Sequence, residues 1–311
     1  MKTIEEVHAA VSKLLKEAGR VIVGQEEALK QFVIALLTDS HAIIEGYPGL
    51  AKTLSIKTLA SLMDLKFSRI QGTPDLMPSD ITGTYILEDK NGKREFRFQN
   101  GPVFANVVLF DEVNRAVPRT QSAILEAMQE RQVTVGNNTF KLDQPFFVLA
   151  TQNPIEQEGV MPLPEAQSDR FLFKIKIIYP SFAEEVEIIN RFTETEYNPE
   201  LRPIIKKEHI FEMQQLVRKV PIANDIKKYA VDIVTATRNK KELIEYGASP
   251  RASIGLVLAG KAHALLSGRK YVSKEDINAV ALPVLRHRII LSFEAERNNL
   301  SEDEIIKKLL R

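Results

Sequence analysis

The feature that most restricts the fold of this chain is a set of continuous apolar runs, each followed at once by polar residues. The runs lie at 41–45, 106–111 and 145–151, in "HAIIEG", "NVVLFDEV" and "PFFVLATQN". Continuous apolar strands are typical of the middle of a parallel sheet that helices cover on both faces. The more polar segments 66–70 and 171–178 favour the sheet edges, where lysine also blunts pairing. Helix-like segments lie between the strands, so the sequence predicts an α/β fold.

Composition excludes several kinds of site and location. The chain has 311 residues and no cysteine, which excludes disulfides, thiolate chemistry and cysteine-ligated zinc. A net charge of +1 gives no overall field that attracts nucleic acid or a membrane. The N-terminal segment mixes acids and lysines into its apolar pattern, unlike a signal peptide, and no run of ~18 apolar residues occurs. We therefore expect a cytoplasmic protein without a membrane span.

After Tyr179-Pro180 the pattern becomes helical up to the C-terminus. Ser181 and Glu184 have the spacing of a capping box, and Ser249-Pro250 places a capping serine before a proline at the first helical position. The predicted helices cover 181–193, 207–219, 222–240, 250–267, 273–288 and 301–310. We therefore predict two domains, an α/β core over 1–180 and an all-helical domain over 181–311.

Two β-hairpins interrupt the alternation of strands and helices in the core. The first lies in "TYILEDKNGKREFRF", where an Asn91-Gly92 turn separates two strand-like arms. The second lies in "RQVTVGNNTFKLD", where Gly-Asn-Asn separates two short arms. Both hairpins are insertions into the α/β pattern.

The stretch "EGYPGLAKT" nearly matches the phosphate-binding pattern G-x-x-x-x-G-K-[ST] between a strand and a helix. Backbone N–H groups of such a loop and of the helix N-terminus attract phosphate oxygens. Lys52 would reach the β- and γ-phosphates of a nucleotide, and the Thr53 hydroxyl would hold Mg²⁺. The alternative is a glycine turn before an ordinary helix.

Ala51 occupies the position of the second glycine in that pattern. Glycine is required only where φ is positive or where no room exists for a Cβ atom. Position 51 adjoins Lys52 at the start of the helix, where alanine is the best helix former. We therefore predict a negative φ at Ala51 and an intact phosphate site.

An acidic pair, Asp111-Glu112, follows the second apolar run. Such a pair lies at the end of a strand, where α/β sheets bind their ligands. Asp111 would order Mg²⁺ and its waters, and Glu112 would take a proton from an attacking water. The alternative, a solvated acidic turn, is disfavoured by the phosphate loop upstream.

Three further polar residues follow or flank predicted elements. Asn153 ends "FVLATQN" and could bind the attacking water or the γ-phosphate, although an Asn-Pro turn is the alternative. Arg170 precedes the last strand and could enter a neighbour's site, or it could pair with Asp169 or Glu165 on the surface. Arg251 lies in the first turn of a helix of the second domain, where it opposes the helix dipole and could contact phosphate.

With these segments in this order, the chain resembles the MoxR family of AAA+ ATPases, in its helix-2-insert branch. The matching segments are "VIVGQEE", "EGYPGLAKT", "LFDEVNRA", "QSAILEAMQERQVTVG", "FVLATQNPIEQEG", "LPEAQSDRF" and "SPRAS". The resemblance implies an αβα core whose five parallel strands have the order 5-1-4-3-2, followed by a helical lid. It also implies ATP and Mg²⁺ bound between the two domains, and a ring of identical subunits that is usually hexameric.

The resemblance assigns a role to each candidate residue. It implies that Glu112 is the Walker B base, Asn153 sensor 1, Arg170 a finger acting on the neighbouring subunit and Arg251 sensor 2. The implied metal ligands are Thr53 and Asp111. The implied ATP-binding residues are Val23, Gly24, Gly46, Pro48, Gly49, Leu50, Ala51, Lys52, Thr53, Leu54 and Asp111. Arg115 and Arg131 lie in family-like segments, and their roles stay open.

The resemblance also suggests a chaperone-like role. MoxR relatives resemble factors that mature a partner complex, often with a protein that carries a von Willebrand factor A domain, and the hairpins at 84–99 and 131–142 would face the ring pore or a client. One alternative is a nucleic-acid remodeller, which only the basic residues of the first hairpin encourage, and acids interleave with them. The other is an ATP-switched scaffold without turnover, which would not need Glu112, Asn153 and Arg170.

Overall fold

The computed structural model describes residues 1, 3–90, 93–154, 160–193 and 199–310, without the side chains of residues 90 and 93. The helices are α1 (Ile4–Ala18), α2 (Glu26–Leu37), α3 (Lys52–Leu62), α4 (Pro78–Thr82), α5 (Pro118–Glu130), α6 (Glu165–Ser168), α7 (Phe182–Thr193), α8 (Lys207–Lys219), α9 (Asn224–Asn239), α10 (Pro250–Leu266), α11 (Lys274–Leu285), α12 (Phe293–Arg297) and α13 (Glu302–Leu309). The strands are β1 (Ala42–Glu45), β2 (Phe67–Gln71), β3 (Gly83–Lys90), β4 (Lys93–Asn100), β5 (Val107–Asp111), β6 (Gln132–Val135), β7 (Asn138–Lys141), β8 (Phe147–Gln152), β9 (Phe173–Lys176), β10 (Ile244–Tyr246) and β11 (Ile290–Leu291).

The central sheet has five parallel strands in the order β2-β5-β8-β1-β9. The three continuous apolar runs are its central strands, and the two more polar strands are its edges, as predicted. Counted along the chain within the sheet, this order is 5-1-4-3-2, which confirms the order that the resemblance implies. The central strands are buried on both faces, which explains why their sequences do not alternate.

Two apolar clusters cover the two faces of the sheet. Neighbouring residues of β1 point to opposite faces, so Ile44 joins the cluster that includes Phe32 of α2, and Ile43 joins the cluster that includes Ile124 of α5. The first cluster continues into the helices of the second domain, through residues such as Leu256 of α10. The core and the lid therefore share one apolar interior, and the boundary at residue 180 stays a prediction.

Both predicted hairpins form. β3 pairs with β4 and β6 pairs with β7, each in antiparallel register; the Asn91-Gly92 turn lies outside the described residues. The Phe98 ring of the first hairpin stacks on Phe140 of the second at 4.1 Å, so the two hairpins pack together.

The second domain is helical, with one small addition. Helix starts fit the capping predictions: Ser181 Oγ accepts from the Glu184 N–H at 3.4 Å, and Ser249 Oγ accepts from the Arg251 N–H at 3.2 Å. Helix α11 ends at Leu285 rather than at 288, because β11 follows and pairs with β10 in a two-stranded antiparallel sheet. Among the described residues, no helix combines the length and the apolar content that crossing a bilayer requires.

Candidate nucleotide-binding site

The parallel register brings the ends of the strands to one side of the sheet, called here the carboxyl edge. Glu45 pairs with Gln152, and Gln71 pairs with Asp111, so four strands end at the same level. Ligands of α/β sheets bind outside this edge. The GYPGLAKT loop, the acidic pair and Asn153 each follow one of these strands, so the fold brings them together.

The loop between β1 and α3 has a backbone suited to an anion. φ is positive at Gly49 (83°) and at Ala51 (54°), and Lys52 begins α3. Left-handed residues in such a turn point successive N–H groups toward one centre and form an anion-binding nest. The prediction of a negative φ at Ala51 is wrong, because the curvature of the loop, and not helix propensity, decides this residue. The left-handed conformation costs an alanine about 1–2 kcal/mol.

The loop side chains are arranged around this nest. The Lys52 ammonium donates a hydrogen bond to the Gly46 carbonyl at 2.6 Å, where phosphate oxygens would compete for it. Gly46 lies against the residue after β9, and a Cβ atom on it would lie 3.1 Å from the Ile177 carbonyl oxygen. The other candidates differ in exposure: Leu50 is buried, Thr53 is half-buried, and Pro48 and Leu54 are exposed.

One hydroxyl orients both acids of the pair. The Thr151 Oγ1 of β8 donates to Asp111 Oδ1 at 2.6 Å and accepts from the Glu112 N–H at 2.8 Å. Glu112 has the left-handed conformation (φ 54°), which costs free energy and is found mostly at functional sites. A Cβ atom on Gly72 would lie 2.1 Å from the Glu112 carbonyl oxygen, so only glycine permits this approach of the two strands.

Strand β2 contributes two polar side chains that the sequence reasoning missed. The Arg69 guanidinium donates to Asp111 Oδ2 at 2.6 Å and to Gln71 Oε1 at 2.5 Å. The Gln71 amide donates to Glu112 Oε2 at 2.8 Å. The sequence pattern could have predicted them. Two long polar residues at i and i+2 of a strand lie on one face, and this strand lies beside the strand that ends in Asp111.

Asn153 is buried, with 8% of its surface exposed, directly after β8. It directly follows Gln152, which pairs with Glu45 at the end of β1, so Asn153 lies at the carboxyl edge close to the start of the phosphate loop. Residues 155–159, which complete the matching segment "FVLATQNPIEQEG", lie outside the described residues.

Val23 and Gly24, two of the implied ATP-binding residues, lie under helix α7. Gly24 has a positive φ (74°), and a Cβ atom on it would lie 2.8 Å from the Glu184 carboxyl carbon. The Gln25 amide donates to the Ile178 carbonyl at 3.0 Å, and the Tyr47 ring of the loop stacks on Tyr179 at 5.2 Å. Val23 is half-buried. These contacts fix α7 beside the phosphate loop.

Arg170 and Arg251 lie at the opposite side of the sheet, called here the amino edge. The Leu172 N–H bonds to the carbonyl of His41, the residue before β1, and Asp169 meets Arg251 with an N–O distance of 3.7 Å. The five steps along the strand from His41 to Gly46 span about 16 Å of extended chain. Neither arginine therefore shares an edge with the phosphate loop of its own chain.

A buried arginine of the lid holds the segment that carries Arg170. Arg288 donates from Nε to Asp169 Oδ1 at 2.8 Å and from Nη1 to the Leu172 carbonyl at 2.9 Å, and it also bonds the Phe171 carbonyl. Burial lowers the pKa of Arg288, while the Asp169 carboxylate opposes that shift. The Ser249 hydroxyl donates to the other Asp169 oxygen at 2.9 Å. Asp169 thus joins Arg288, Ser249 and Arg251 of the lid to the core.

Arg115 and Arg131, whose roles the sequence left open, both form contacts within their own chain. Arg115 donates to Glu112 Oε2 at 3.0 Å. Arg131 donates to the Phe146 carbonyl at 2.5 Å and pairs with Asp39 at 3.0 Å, and burial lowers its pKa. In contrast, the exposed Arg170 guanidinium forms no hydrogen bond or ion pair with the part of the chain that the structure describes.

The residues at the carboxyl edge fit ATP and Mg²⁺. The nest and Lys52 suit phosphate oxygens, and Thr53 and Asp111 offer the oxygen ligands that Mg²⁺ prefers. Mg²⁺ usually takes one or two protein ligands together with substrate phosphates. Within residues 1, 3–90, 93–154, 160–193 and 199–310, no group of three or more histidine or acidic side chains is placed to hold a metal ion.

Comparisons with known proteins give the same assignment. A model of the "ATPase family associated with various cellular activities (AAA)" matches residues 41–173, and a model of the AAA lid domain matches residues 236–309. The chain is 44% identical to Chaperone MoxR1 of Mycobacterium tuberculosis, over 98% of this chain and 82% of that protein. It is 42% identical to YeaC of Bacillus subtilis, over 98% of this chain and 95% of that protein.

A solved structure supports the fold. A crystal structure from Cytophaga hutchinsonii, described as a candidate ATPase, superimposes with a TM-score of 0.92 at 45% identity. It covers 99% of this chain, and this chain covers 95% of it. The likeness extends over both domains.

Proposed function

This chain belongs to the MoxR family of AAA+ ATPases, and we propose that it hydrolyses ATP with Mg²⁺ in a cytoplasmic ring that remodels or matures a partner protein. One observation supports assembly into a ring: the proposed ATP-binding residues lie at the carboxyl edge, while Arg170 and Arg251 lie at the amino edge. A complete site then needs the carboxyl edge of one copy beside the amino edge of another. The domain boundary near residue 180 is part of the proposal.

Each side chain at the carboxyl edge has one task in hydrolysis. The loop N–H groups and Lys52 bind the β- and γ-phosphates, and Thr53 and Asp111 would hold the metal. Mg²⁺ held there would supply positive charge to neutralise the phosphate oxygens. Glu112 accepts the proton of the attacking water, and Asn153 orients that water.

Side chains of the core contact both acids of the pair. Arg69 neutralises Asp111, and Gln71 and Arg115 occupy the Glu112 carboxylate. The contacts of Gln71 and Arg115 both fall on Oε2, so Oε1 stays available to accept the proton of the attacking water. Thr151 holds the Glu112 N–H and the Asp111 carboxylate in place.

Comparing the ATPase rate of the wild type with that of Glu112→Gln tests turnover. Glu112→Gln should bind ATP with unchanged affinity and lose turnover, because the amide cannot accept the proton. Glu130→Gln, an exposed residue at the end of α5, is the matched control and should hydrolyse as the wild type does. If all three proteins showed the same background ATPase rate, the ATPase proposal would be wrong and the ATP-switched scaffold would remain.

The chaperone role rests on the family and on the hairpins. A partner with a von Willebrand factor A domain, together with its client complex, is the proposed target. Glu112→Gln held in ATP should retain that target in a pull-down, and the double variant Lys52→Ala/Glu112→Gln should not. Retention that does not depend on Lys52 would contradict an ATP-driven cycle.

The mixed charges of the first hairpin argue against nucleic acid as the target. Arg97 pairs with Glu88 at 3.3 Å, and Arg94 stands opposite Asp89 in the strand register. Acids interleaved with the basic residues weaken attraction to a phosphate backbone. Tight binding to plain DNA that falls steeply with salt would reverse this conclusion.

A further inference from the structure

The linker that joins β9 to α7, residues 177–181, contacts two parts of the carboxyl edge. The Ile177 N–H donates to the Glu45 carbonyl at 2.8 Å, directly before the phosphate loop. The Ile178 carbonyl accepts from the Gln25 amide at 3.0 Å, at the start of α2. The linker leads on into α7, so these contacts connect the phosphate loop and α2 to the second domain.

An aromatic stack adds a further contact between the linker and the loop. The rings of Tyr47, in the loop, and Tyr179, in the linker, have centroids 5.2 Å apart and planes inclined by 22°. Offset stacking of this kind stabilises a pair beyond the area that it buries. Tyr47 is 37% exposed and Tyr179 is 62% exposed, so the pair lies at the surface and not in the apolar interior. Burial in the core therefore does not explain why the two rings meet.

The sequence restrains both tyrosines before they stack. Each directly precedes a proline, and Tyr47-Pro48 and Tyr179-Pro180 are the two Tyr-Pro pairs of the chain. A proline ring restricts the preceding residue to extended backbone conformations. Both tyrosines therefore lose less conformational entropy when their rings meet than unrestrained residues would.

The phosphate loop needs support because its backbone is strained. Ala51 has a left-handed conformation (φ 54°), which costs free energy in a residue with a Cβ atom. Costly conformations persist where the surrounding structure over-determines them. The Lys52 bond to the Gly46 carbonyl holds the loop from its C-terminal side, but phosphate oxygens would compete for that lysine. The Tyr47 ring holds the loop from its N-terminal side, through an apolar contact for which phosphate does not compete.

We propose that the stack of Tyr47 on Tyr179 braces the phosphate loop in its anion-binding conformation, which makes both tyrosines positioning residues for nucleotide binding. The proposal rests on the proposed function, since it requires nucleotide phosphates in this loop. A loop that already has its bound conformation loses little entropy when the ligand arrives. Without the stack, the loop would sample other conformations, and its affinity for any ligand with a diphosphate would fall.

A double-mutant cycle on nucleotide affinity tests the brace. Competition against a fluorescent ADP analogue measures the affinity for ADP, which needs no turnover. Tyr47→Ala and Tyr179→Ala should each weaken ADP binding by about two- to tenfold, the range that one aromatic pair supplies. The double variant should bind ADP no more weakly than either single variant, because each substitution already removes the whole contact. Additive losses, or an unchanged ADP affinity in Tyr47→Ala, would overturn the proposal.

Two controls separate the brace from a general loss of structure. Tyr47→Phe keeps the ring and should bind ADP as the wild type does, whereas a loss as large as that of Tyr47→Ala would overturn the role of the stack. Tyr271→Ala removes an exposed ring (64%) of the second domain and should leave ADP affinity unchanged. Neither Tyr47 nor Tyr179 is buried, so the alanine variants should keep the circular dichroism spectrum of the wild type.

Inorganic pyrophosphate, in competition with the same analogue, shows whether the rings act through the loop or on the base. A braced loop holds the two phosphates themselves, so Tyr47→Ala should weaken the binding of pyrophosphate and of ADP by the same factor. A loss confined to ADP would show that a ring contacts the adenosine part of the ligand, and it would overturn the proposal.

The brace and the proposed function can fail separately. If the tyrosine variants lose ADP affinity as expected, in a protein whose ATPase rate stays at background, the brace stands and the proposed hydrolysis is wrong. If the wild type hydrolyses ATP and Tyr47→Ala binds ADP with unchanged affinity, the proposed function stands and the brace is wrong.

Discussion

The two edges of the central sheet differ in how their functional groups are held. At the carboxyl edge, backbone turns and hydrogen bonds within the chain hold Lys52, Asp111 and Glu112. At the amino edge, the Arg170 and Arg251 side chains are exposed. The segment of Arg170 is anchored through Asp169 and Arg288, and Arg251 has a single long ion pair with Asp169 at 3.7 Å. This difference supports the proposal that one edge binds a small ligand and the other meets a second protein copy.

The largest expected effect is at the amino edge. Arg170→Ala should keep ATP affinity and lose about 10³–10⁵-fold in turnover, because a finger acts on transition-state charge. Steady-state ATPase assays at assembling concentrations measure this change, with Arg119→Ala, an exposed arginine of α5, as the control. Mixing Arg170→Ala with Glu112→Gln should recover part of the activity, since each copy supplies what its neighbour lacks. Normal hydrolysis by Arg170→Ala would contradict a role for Arg170 in the site of the neighbouring copy.

Lys52→Ala tests the carboxyl edge. The substitution removes the ammonium that meets the phosphates, so ATP affinity should fall by about 2–5 kcal/mol together with turnover. Isothermal titration with ATP measures the loss. Lys57→Ala, an exposed lysine farther along α3, should bind as the wild type does. Mixing with Glu112→Gln should restore activity to Arg170→Ala but not to Lys52→Ala, because the Lys52→Ala copy has no working phosphate site. An equal gain by both variants would contradict the distinction between the two edges.

Arg288→Lys tests whether the lid positions the finger. Lysine keeps the charge beside Asp169 but cannot bond the carbonyls of Phe171 and Leu172 together with it. A displacement of about 1 Å can cost about 10²-fold in rate, so turnover should fall by that order while ATP affinity stays unchanged. Recovery on mixing with Glu112→Gln would assign the defect to the neighbour's site. A loss of ATP affinity instead would show a purely structural role.

The smallest effect belongs to the backbone of the phosphate loop. Glycine adopts the left-handed conformation at a lower free-energy cost than alanine. Ala51→Gly should therefore raise the free energy of unfolding by up to about 1 kcal/mol. Ala9→Gly, at an exposed site inside α1, should lower it by about 1 kcal/mol. Denaturant titration measures both. A loss at position 51 as large as at position 9 would contradict the positive φ.

Much of the carboxyl edge was predictable because its signals are local. Apolar runs that end in Glu45, Asp111 and Gln152 define strands and their ends, and parallel strands must bring such ends together. The same reasoning failed at Ala51, where helix propensity competed with the curvature that binding an anion requires. It also missed Arg69, which lies inside β2, and Gln71, which ends β2 but belongs to no recognised motif.

The sequence by itself determined the α/β core, the order of centre and edge strands, the helical lid and the residues proposed to bind ATP. These follow from hydrophobic periodicity, caps and short motifs, which act within a few residues of chain. Only the tertiary structure decided that Arg170 and Arg251 share the amino edge, that Arg288 of the lid holds Asp169, and that the rings of Tyr47 and Tyr179 stack. Such facts depend on how distant segments pack, because a side chain's neighbours across the fold are set by sheet register and domain contact rather than by its own position in the sequence.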